Sequence, residues 1–130
     1  METADDDPNQ SEKASQPASV EITARAKGVP PTEPWSVIAR DKKVRKGWEQ
    51  LVRNTSANAI NCYDWLVRHP MKPMPGRCYP LKGKEFAGHW CYEVGAGDRV
   101  YYQPDPASKK VTVWYAGPHP SAIPVPPSLT

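Results

Sequence analysis

The chain has 130 residues, 16 prolines, a mean hydropathy of -0.69 and a net charge of +3, which suits one small domain flanked by segments that do not pack. No apolar run approaches the roughly 20 residues that a membrane span needs, so we expect no membrane partner. The three cysteines, Cys62, Cys78 and Cys91, are odd in number and lack metal-ligand spacing, which predicts buried, reduced thiols of a cytoplasmic protein and no metal site.

Both ends of the chain are predicted to lie outside the fold. Residues 1–34 are rich in Asp, Ser and Pro without an apolar period, which predicts a disordered acidic arm and no secretory signal. Residues 121–130 are predicted to be a proline-rich tail. The arm has three basic and seven acidic residues, a net charge of -4, whereas residues 35–120 have 14 and seven, a net charge of +7. This basic domain suits a polyanion partner, either nucleic acid or an acidic protein, unless its charge serves solubility alone.

The first half of the domain predicts a short strand and two helices. An apolar run at residues 35–39 is followed by apolar residues at helical spacing after Asp41, a typical N-cap. Gly47 inside this helix weakens the prediction. A second helix is expected to be capped by Ser56 and to end at Pro70, because the residue before a proline avoids helical angles.

The second half predicts an antiparallel meander. A short edge strand falls within residues 77–81, the alternating segments 89–94 and 99–103 flank the glycine-rich turn GAGD, and a third strand follows at 111–117. Two helices on one face of a small sheet bury both apolar surfaces. The predicted fold class is therefore α+β in the order β-α-α-β-β-β, with an antiparallel sheet packed against a helical hairpin and disordered tails.

These elements and several short motifs resemble the RelE/ParE superfamily of toxin–antitoxin toxins. The motifs are KGWEQL on the first helix, LKG before the meander, YEVGAGDRVYY at its first hairpin and GPHP after its last strand. The resemblance covers residues 35–120 and implies one of two activities. RelE-like members cut messenger RNA in the ribosomal decoding site, and ParE-like members poison DNA gyrase. Members of both kinds are neutralised by an antitoxin.

The resemblance also implies site residues. Arg99, at the start of the second meander strand, matches the arginine that contacts the scissile phosphate region in RelE-like nucleases. His119 matches the position after the last strand where these nucleases have arginine or histidine. The two lysines that RelE places on the first meander strand fall on Trp90 and Tyr92, which departs from the lysine-based form of the mechanism.

Metal-free cleavage of RNA through its 2′-hydroxyl requires a base, a cation and an acid, and it requires no cofactor. Histidine can act as acid or base near neutral pH, and arginine presents a bidentate fork to phosphate oxygens, which suits His119 and Arg99 to these roles. Glu93 is a candidate base. Because strand residues alternate, Arg99 and Tyr101 share one side of their strand, but the sequence leaves open which side faces the helices.

The working hypothesis places Arg99, Tyr101 and His119 near one concave face, with Glu93 as a fourth catalytic candidate. Aromatic rings at its rim would stack on unpaired bases, each contributing ~1–3 kcal/mol, and basic side chains would line the phosphate path. The candidate RNA-binding residues are Trp90, Tyr92, Arg77, Lys82 and Lys84.

The predicted function is that of the toxin of a type II toxin–antitoxin system, a ribosome-dependent mRNA endoribonuclease whose partners are a cognate antitoxin and mRNA on the ribosome. Two alternatives stay open. A ParE-like gyrase inhibitor is favoured by the missing lysines. A non-catalytic binding module of a phage or mobile element is favoured by the acidic arm and by the proline-rich tail, since such segments often serve as docking ligands.

Overall fold

A computed structural model of the chain describes residues 20–22 and 33–126. Within them lie six strands, two α-helices and one turn of 3₁₀ helix at Lys84–Phe86. The strands are β1 (Val20–Glu21), β2 (Ser36–Ala39), β3 (Cys78–Pro80), β4 (Trp90–Glu93), β5 (Asp98–Asp105) and β6 (Lys110–Pro118), and the helices are α1 (Lys42–Asn54) and α2 (Ser56–Arg68).

The six strands form one sheet in the order β1-β2-β6-β5-β4-β3. The predicted α+β class is confirmed. The predicted order β-α-α-β-β-β is found as β2-α1-α2-β4-β5-β6, and β3, between α2 and β4, is the predicted edge strand, where Pro80 removes no ladder hydrogen bond. The sheet is mixed rather than antiparallel, because β2 runs parallel to β6, with Ser36 opposite Lys110. Parallel neighbours need a long connection, and here both helices and the meander supply it.

Strand β1 was not predicted, because two residues are too few to show an alternating pattern. Val20 lies opposite Ala39, and the backbone N–H of Ile22 donates to the carbonyl of Val37 at 3.1 Å. Ile22 is buried in the core. At least this part of the predicted arm is therefore in the sheet. Residues 1–19 and 23–32 of the arm, and residues 127–130 of the predicted C-terminal tail, lie outside the described residues.

Helix α1 begins where the sequence predicts. The Asp41 carboxylate accepts a hydrogen bond from the backbone N–H of Val44 at 2.9 Å, which satisfies one of the donors that every helix start leaves unpaired. Gly47, which is unfavourable for an isolated helix, lies where α1 contacts the backbone of β6. The glycine is therefore a requirement of the packing rather than a weak point of the prediction.

Helix α2 follows α1 after the single residue Thr55, and this short link changes the predicted cap. Ser56 is the first helical residue rather than the N-cap, so the prediction for Ser56 is wrong. The Thr55 hydroxyl donates instead to the carbonyl of Leu51 at 2.9 Å, which satisfies an end of α1. The other end is as predicted: α2 ends at Arg68, directly before His69 and Pro70.

The main core lies between the helices and one face of the sheet. Tyr102 lies at its centre, fully buried, and its hydroxyl donates to the carbonyl of Pro70 at 2.7 Å. Because that hydroxyl has one proton, the Cys78 thiol is the donor in the 3.0 Å contact between Cys78 Sγ and the Tyr102 oxygen. All three cysteines are free and buried, as predicted.

Raising the pH above about 9 is expected to destabilise the fold through its buried thiols and phenols. Burial raises the pKa of Cys91 from 9.0 to about 11 and that of Tyr92 from 10.0 to about 12. The folded state holds these protons more tightly than the unfolded chain does, so their stabilisation is complete below the unfolded pKa and is lost as the pH rises through the folded one. Urea unfolding midpoints across this pH range measure the loss.

A Cys91→Ala chain provides the control for that experiment. Its free energy of unfolding should depend less on pH between pH 9 and pH 11 than that of the unchanged chain, by up to about 2 kcal/mol for a shift of this size. Equal pH dependence in the two chains would mean that the Cys91 thiol does not contribute.

Candidate active site

The side of the sheet away from the helices has its own small cluster. Cys91, Tyr101 and Trp114 are buried there, although neither α1 nor α2 covers them. Val100 and Tyr102, the neighbours of Tyr101 in β5, pack into the main core on the other side. We call the side formed by Cys91, Glu93, Arg99, Tyr101, Trp114 and Tyr115 the helix-free face.

A β-bulge in β6 determines which residues reach the helix-free face. Tyr101 pairs with Tyr115, but its neighbour Tyr102 pairs with Val113, which leaves Trp114 as an extra residue. Trp114 and Tyr115 therefore both pack on the helix-free face, and Ala116 returns to the main core. Beyond the bulge, the alternation puts Gly117 opposite Arg99 on the same side of the sheet.

Glu93 and Arg99 lie opposite each other on β4 and β5. Glu93 Oε1 is 3.8 Å from Arg99 Nη2, and the two side chains are 26% and 12% exposed. Arg99 Nη1 donates to the carbonyl of Asp98 at 2.9 Å and to that of Gly95 at 3.3 Å, both in the hairpin turn. The hairpin thus holds a guanidinium and a carboxylate side by side in a fixed orientation.

Tyr79 on β3 orients the carboxylate, and the sequence analysis missed it. Its hydroxyl donates to Glu93 Oε2 at 2.6 Å. Burial and then the hydrogen bond to Glu93 raise the pKa of Tyr79 well above its usual value, so the phenol stays protonated and remains a donor. The loop at 81–89 separates Tyr79 from Glu93 in the sequence, so no local pattern predicts their contact. The contact follows from strand pairing, because Tyr79 lies opposite Cys91, two residues before Glu93.

His119 follows β6 and continues its pairing with the same hairpin. Its backbone N–H donates to the carbonyl of Gly97 at 2.8 Å, two residues or about 7 Å along the strand from Arg99. Its Nδ1 lies 2.7 Å from the carbonyl of Pro120. Since a carbonyl oxygen only accepts, Nδ1 carries the proton of the neutral ring, and Nε2 is left for a ligand. The imidazole is exposed, and alternation directs it toward the helix-free face.

Trp90 and Tyr92 do not lie at the rim of this face, which corrects their predicted role in stacking on RNA bases. They are 9% and 4% exposed and pack in the main core, because the alternation that puts Glu93 on the helix-free face turns them toward the helices. Positions 90 and 92 are those where RelE has lysines. Because both positions face the main core in this chain, the absence of lysine there does not alter the charge of the helix-free face.

Tyr101 lies on the predicted side, but it is only 2% exposed. Its ring packs against Trp114 and Tyr115, with ring centroids 5.3 Å and 5.4 Å apart. Burial raises the pKa of its hydroxyl. Tyr101 thus supports the strand beside Arg99, and in this arrangement neither a base nor a phosphate can reach its ring.

The three predicted phosphate contacts are not grouped with Arg99. Arg77 Nη1 donates to the backbone carbonyl of Glu93 at 2.8 Å, and its side chain lines a cleft on the α2 side with Asp64 and Tyr92. Lys82 and Lys84 are exposed in the loop between β3 and β4. That loop joins β4 at Trp90, three residues or about 10 Å from Glu93.

Two features are absent from the described residues. No group of three or more His, Cys, Asp and Glu side chains among them is arranged to hold a metal ion. Across the same residues, neither helix has the length and the apolar character needed to cross a bilayer.

Comparison with known proteins identifies the architecture. No family model matches the chain, and no curated protein matches it. Among solved structures, it is similar to a YoeB/ParE toxin from Agrobacterium tumefaciens, with a TM-score of 0.51 and 20% sequence identity over 64% of this chain and 97% of that one. The chain has the fold of that toxin. A YoeB-YefM complex from Staphylococcus aureus gives a TM-score of 0.48 at 13% identity, covering 64% of this chain and 94% of that one.

The resemblance seen in the order of elements and motifs is thereby confirmed for the fold. The match to the Agrobacterium toxin covers 64% of this chain and leaves the remaining 36% without a counterpart. At this level of identity the match carries the architecture, and the chemistry has to be argued from the helix-free face itself.

Proposed function

We propose that the chain is the toxin of a toxin–antitoxin system and cleaves messenger RNA on the ribosome by metal-free acid–base chemistry. The observation that carries the proposal is the pairing of Glu93 with Arg99 across β4 and β5, with His119 docked on the same hairpin. The fold it shares with a YoeB/ParE toxin supports the first part of the proposal. The cleavage chemistry rests on these three side chains.

Glu93 acts as the base in the proposed reaction. Its Oε2 accepts the Tyr79 hydrogen bond, so Oε1 is the oxygen that takes the proton from the RNA 2′-hydroxyl. The 2′ oxygen then forms a bond to phosphorus as the bond to the 5′ oxygen breaks. His119, in its imidazolium form, donates its Nε2 proton to that leaving oxygen. The products are a 2′,3′-cyclic phosphate and a 5′-hydroxyl.

Arg99 supplies the positive charge that the phosphorane requires. Two backbone carbonyls hold Nη1, so the guanidinium is oriented before RNA binds and does not reorganise during the reaction. At 12% exposure it is partly withdrawn from water, where its attraction for the developing charge is stronger than at a fully exposed site. Tyr79 is a positioning residue that fixes the carboxylate.

A translating extract tests the function. The purified chain should cut ribosome-bound mRNA, and the fragments should have 2′,3′-cyclic phosphate and 5′-hydroxyl ends. The same preparation should leave gyrase supercoiling unaffected. Intact mRNA with inhibited gyrase would establish the ParE-like alternative, and no effect in either assay would favour a non-catalytic binding module.

A cognate antitoxin and a cytoplasmic location belong to the same proposal. The half-buried apolar side chains of the helical hairpin, among them Val52, Tyr63 and Trp65, offer a surface for a partner. The proposal predicts a short adjacent gene that encodes the antitoxin, and co-expression of its product should abolish mRNA cleavage. A persisting activity would remove the antitoxin from the proposal.

A further inference from the structure

The outer surface of α1 is a strongly basic patch on the side of the sheet opposite the helix-free face. The helix contains five basic residues and one acidic residue, Glu49, which pairs with Arg45 at 3.0 Å. Among the described residues, the exposed lysines of its first half have no carboxylate partner. We call them the α1 lysines: Lys42, Lys43 and Lys46.

The described part of the chain begins beside this patch. Because β1 is antiparallel to β2 and Val20 lies opposite Ala39, Val20 lies at the end of the sheet where α1 begins, three residues after Ala39. Residues 1–19 contain five acidic residues and one lysine, a net charge of -4. Three of the acids are consecutive, and we call them the aspartate triplet: Asp5, Asp6 and Asp7.

The stretch of chain between the aspartate triplet and β1 is long enough for the triplet to reach the α1 lysines and short enough to keep it near them. The 12 residues between Asp7 and Val20 make 13 Cα-to-Cα steps, which can span at most about 45 Å, whereas the 13-residue α1 is about 20 Å long. A connection of this length would hold the triplet at an effective concentration in the millimolar range near α1. Even a weak ionic contact is then occupied at low salt.

We propose that residues 1–19 bind the α1 lysines of their own molecule and cover this basic surface. The anchor is β1, whose pairing with β2 and buried Ile22 hold Val20 beside the helix start. An external polyanion that approaches α1 has to displace the acidic segment. The contact is exposed and ionic, so salt weakens it. This inference does not depend on the proposed nuclease activity.

Carbodiimide cross-linking of the full chain tests the contact. The reagent joins neighbouring carboxylates and amines, and at low salt we expect amide bonds from the aspartate triplet to the α1 lysines about tenfold more often than to exposed lysines elsewhere. The bonds should be lost near 0.5 M salt, where screening acts within about 4 Å. The internal controls, exposed and remote from α1 in sequence, are Lys72, Lys82 and Lys84.

Mixing isotopically light and heavy chains separates contacts within one molecule from contacts between two. Bonds between light and heavy peptides would identify a second copy as the occupant and would overturn the proposal. An even distribution of bonds over all exposed lysines would overturn it as well.

Binding to a heparin column gives a second readout. In the unchanged chain, replacing the triplet by asparagines should raise the salt concentration of elution. The same replacement should have a smaller effect when the α1 lysines are glutamines, and its full effect when the three control lysines are glutamines. If the replacement raised the elution salt concentration equally in the unchanged chain, the α1-lysine variant and the control-lysine variant, the triplet would act only through the net charge. That result would contradict the contact.

Discussion

A Glu93→Gln chain is expected to cleave RNA about 10²–10⁴-fold more slowly than the unchanged chain, the range for loss of a general base. Glutamine has the size of glutamate, and its amide oxygen can still accept the hydrogen bond from Tyr79. It cannot take up the proton of the 2′-hydroxyl. Single-turnover cleavage of ribosome-bound mRNA isolates the chemical step and so distinguishes a lost base from weakened binding.

Glu85→Gln is the matched control for this prediction. Glu85 is exposed in the 3₁₀ turn at Lys84–Phe86, so its replacement removes the same charge at a distance from Arg99. We expect it to cleave at the unchanged rate and to unfold within about 0.5 kcal/mol of the parent, as surface changes commonly do. A Glu93→Gln chain with full activity would show that another group accepts the proton.

A Gly47→Ala chain is expected to lose about 3 kcal/mol of stability, at the upper end of the usual range for overpacking. A Cβ at this position would lie 2.2 Å from the carbonyl oxygen of Ala116, and backbone on both sides leaves no flexible group to yield. Alanine gains about 1 kcal/mol over glycine in helix propensity, so the overlap outweighs the gain. Helix α1 can accommodate the methyl group only by moving away from β6.

Thermal unfolding measures this effect. In a domain of 60–100 residues, about 3 kcal/mol corresponds to a fall in Tm of about 12–24 °C. Gly97→Ala is the control, because nothing lies within 4 Å of its added Cβ and its backbone angles are not in the left-handed region. A Gly47→Ala chain as stable as Gly97→Ala would show that α1 shifts at little cost.

The sequence alone predicted the helices and strands that are long enough to show a period. The Asp41 cap, the end of α2 at Arg68 and the GAGD turn of the meander follow from local chemistry. Local chemistry did not predict β1, whose two residues are held by pairing and by the burial of Ile22. Nor did it predict the parallel neighbours β2 and β6, because sequence pattern carries no strand direction.

The candidate site was predictable as a set of residues but not as an arrangement. The GAGD turn places Glu93 opposite Arg99. The choice of face was not available, because both sides of the sheet are aromatic: Trp90 and Tyr92 pack on one and Tyr101 on the other. Only packing against the helices decides which of two such faces is covered, and local sequence does not contain that information. The contact of Tyr79 with Glu93 was not predicted for the same reason, because it depends on how β3 pairs with β4.

The single extra residue in β6 is what puts His119 on the helix-free face, because strict alternation over the six positions after Val113 would return it to the side of the main core. Removing Ala116, which lies beyond the bulge, would turn every later position to the opposite side, sending the imidazole toward the α1 side and Pro118 toward Arg99. Length changes of one residue between the bulge and His119 should therefore disconnect the acid from the cation, even where the sheet itself survives. Across related chains, this segment should accept changes of side chain more readily than changes of length.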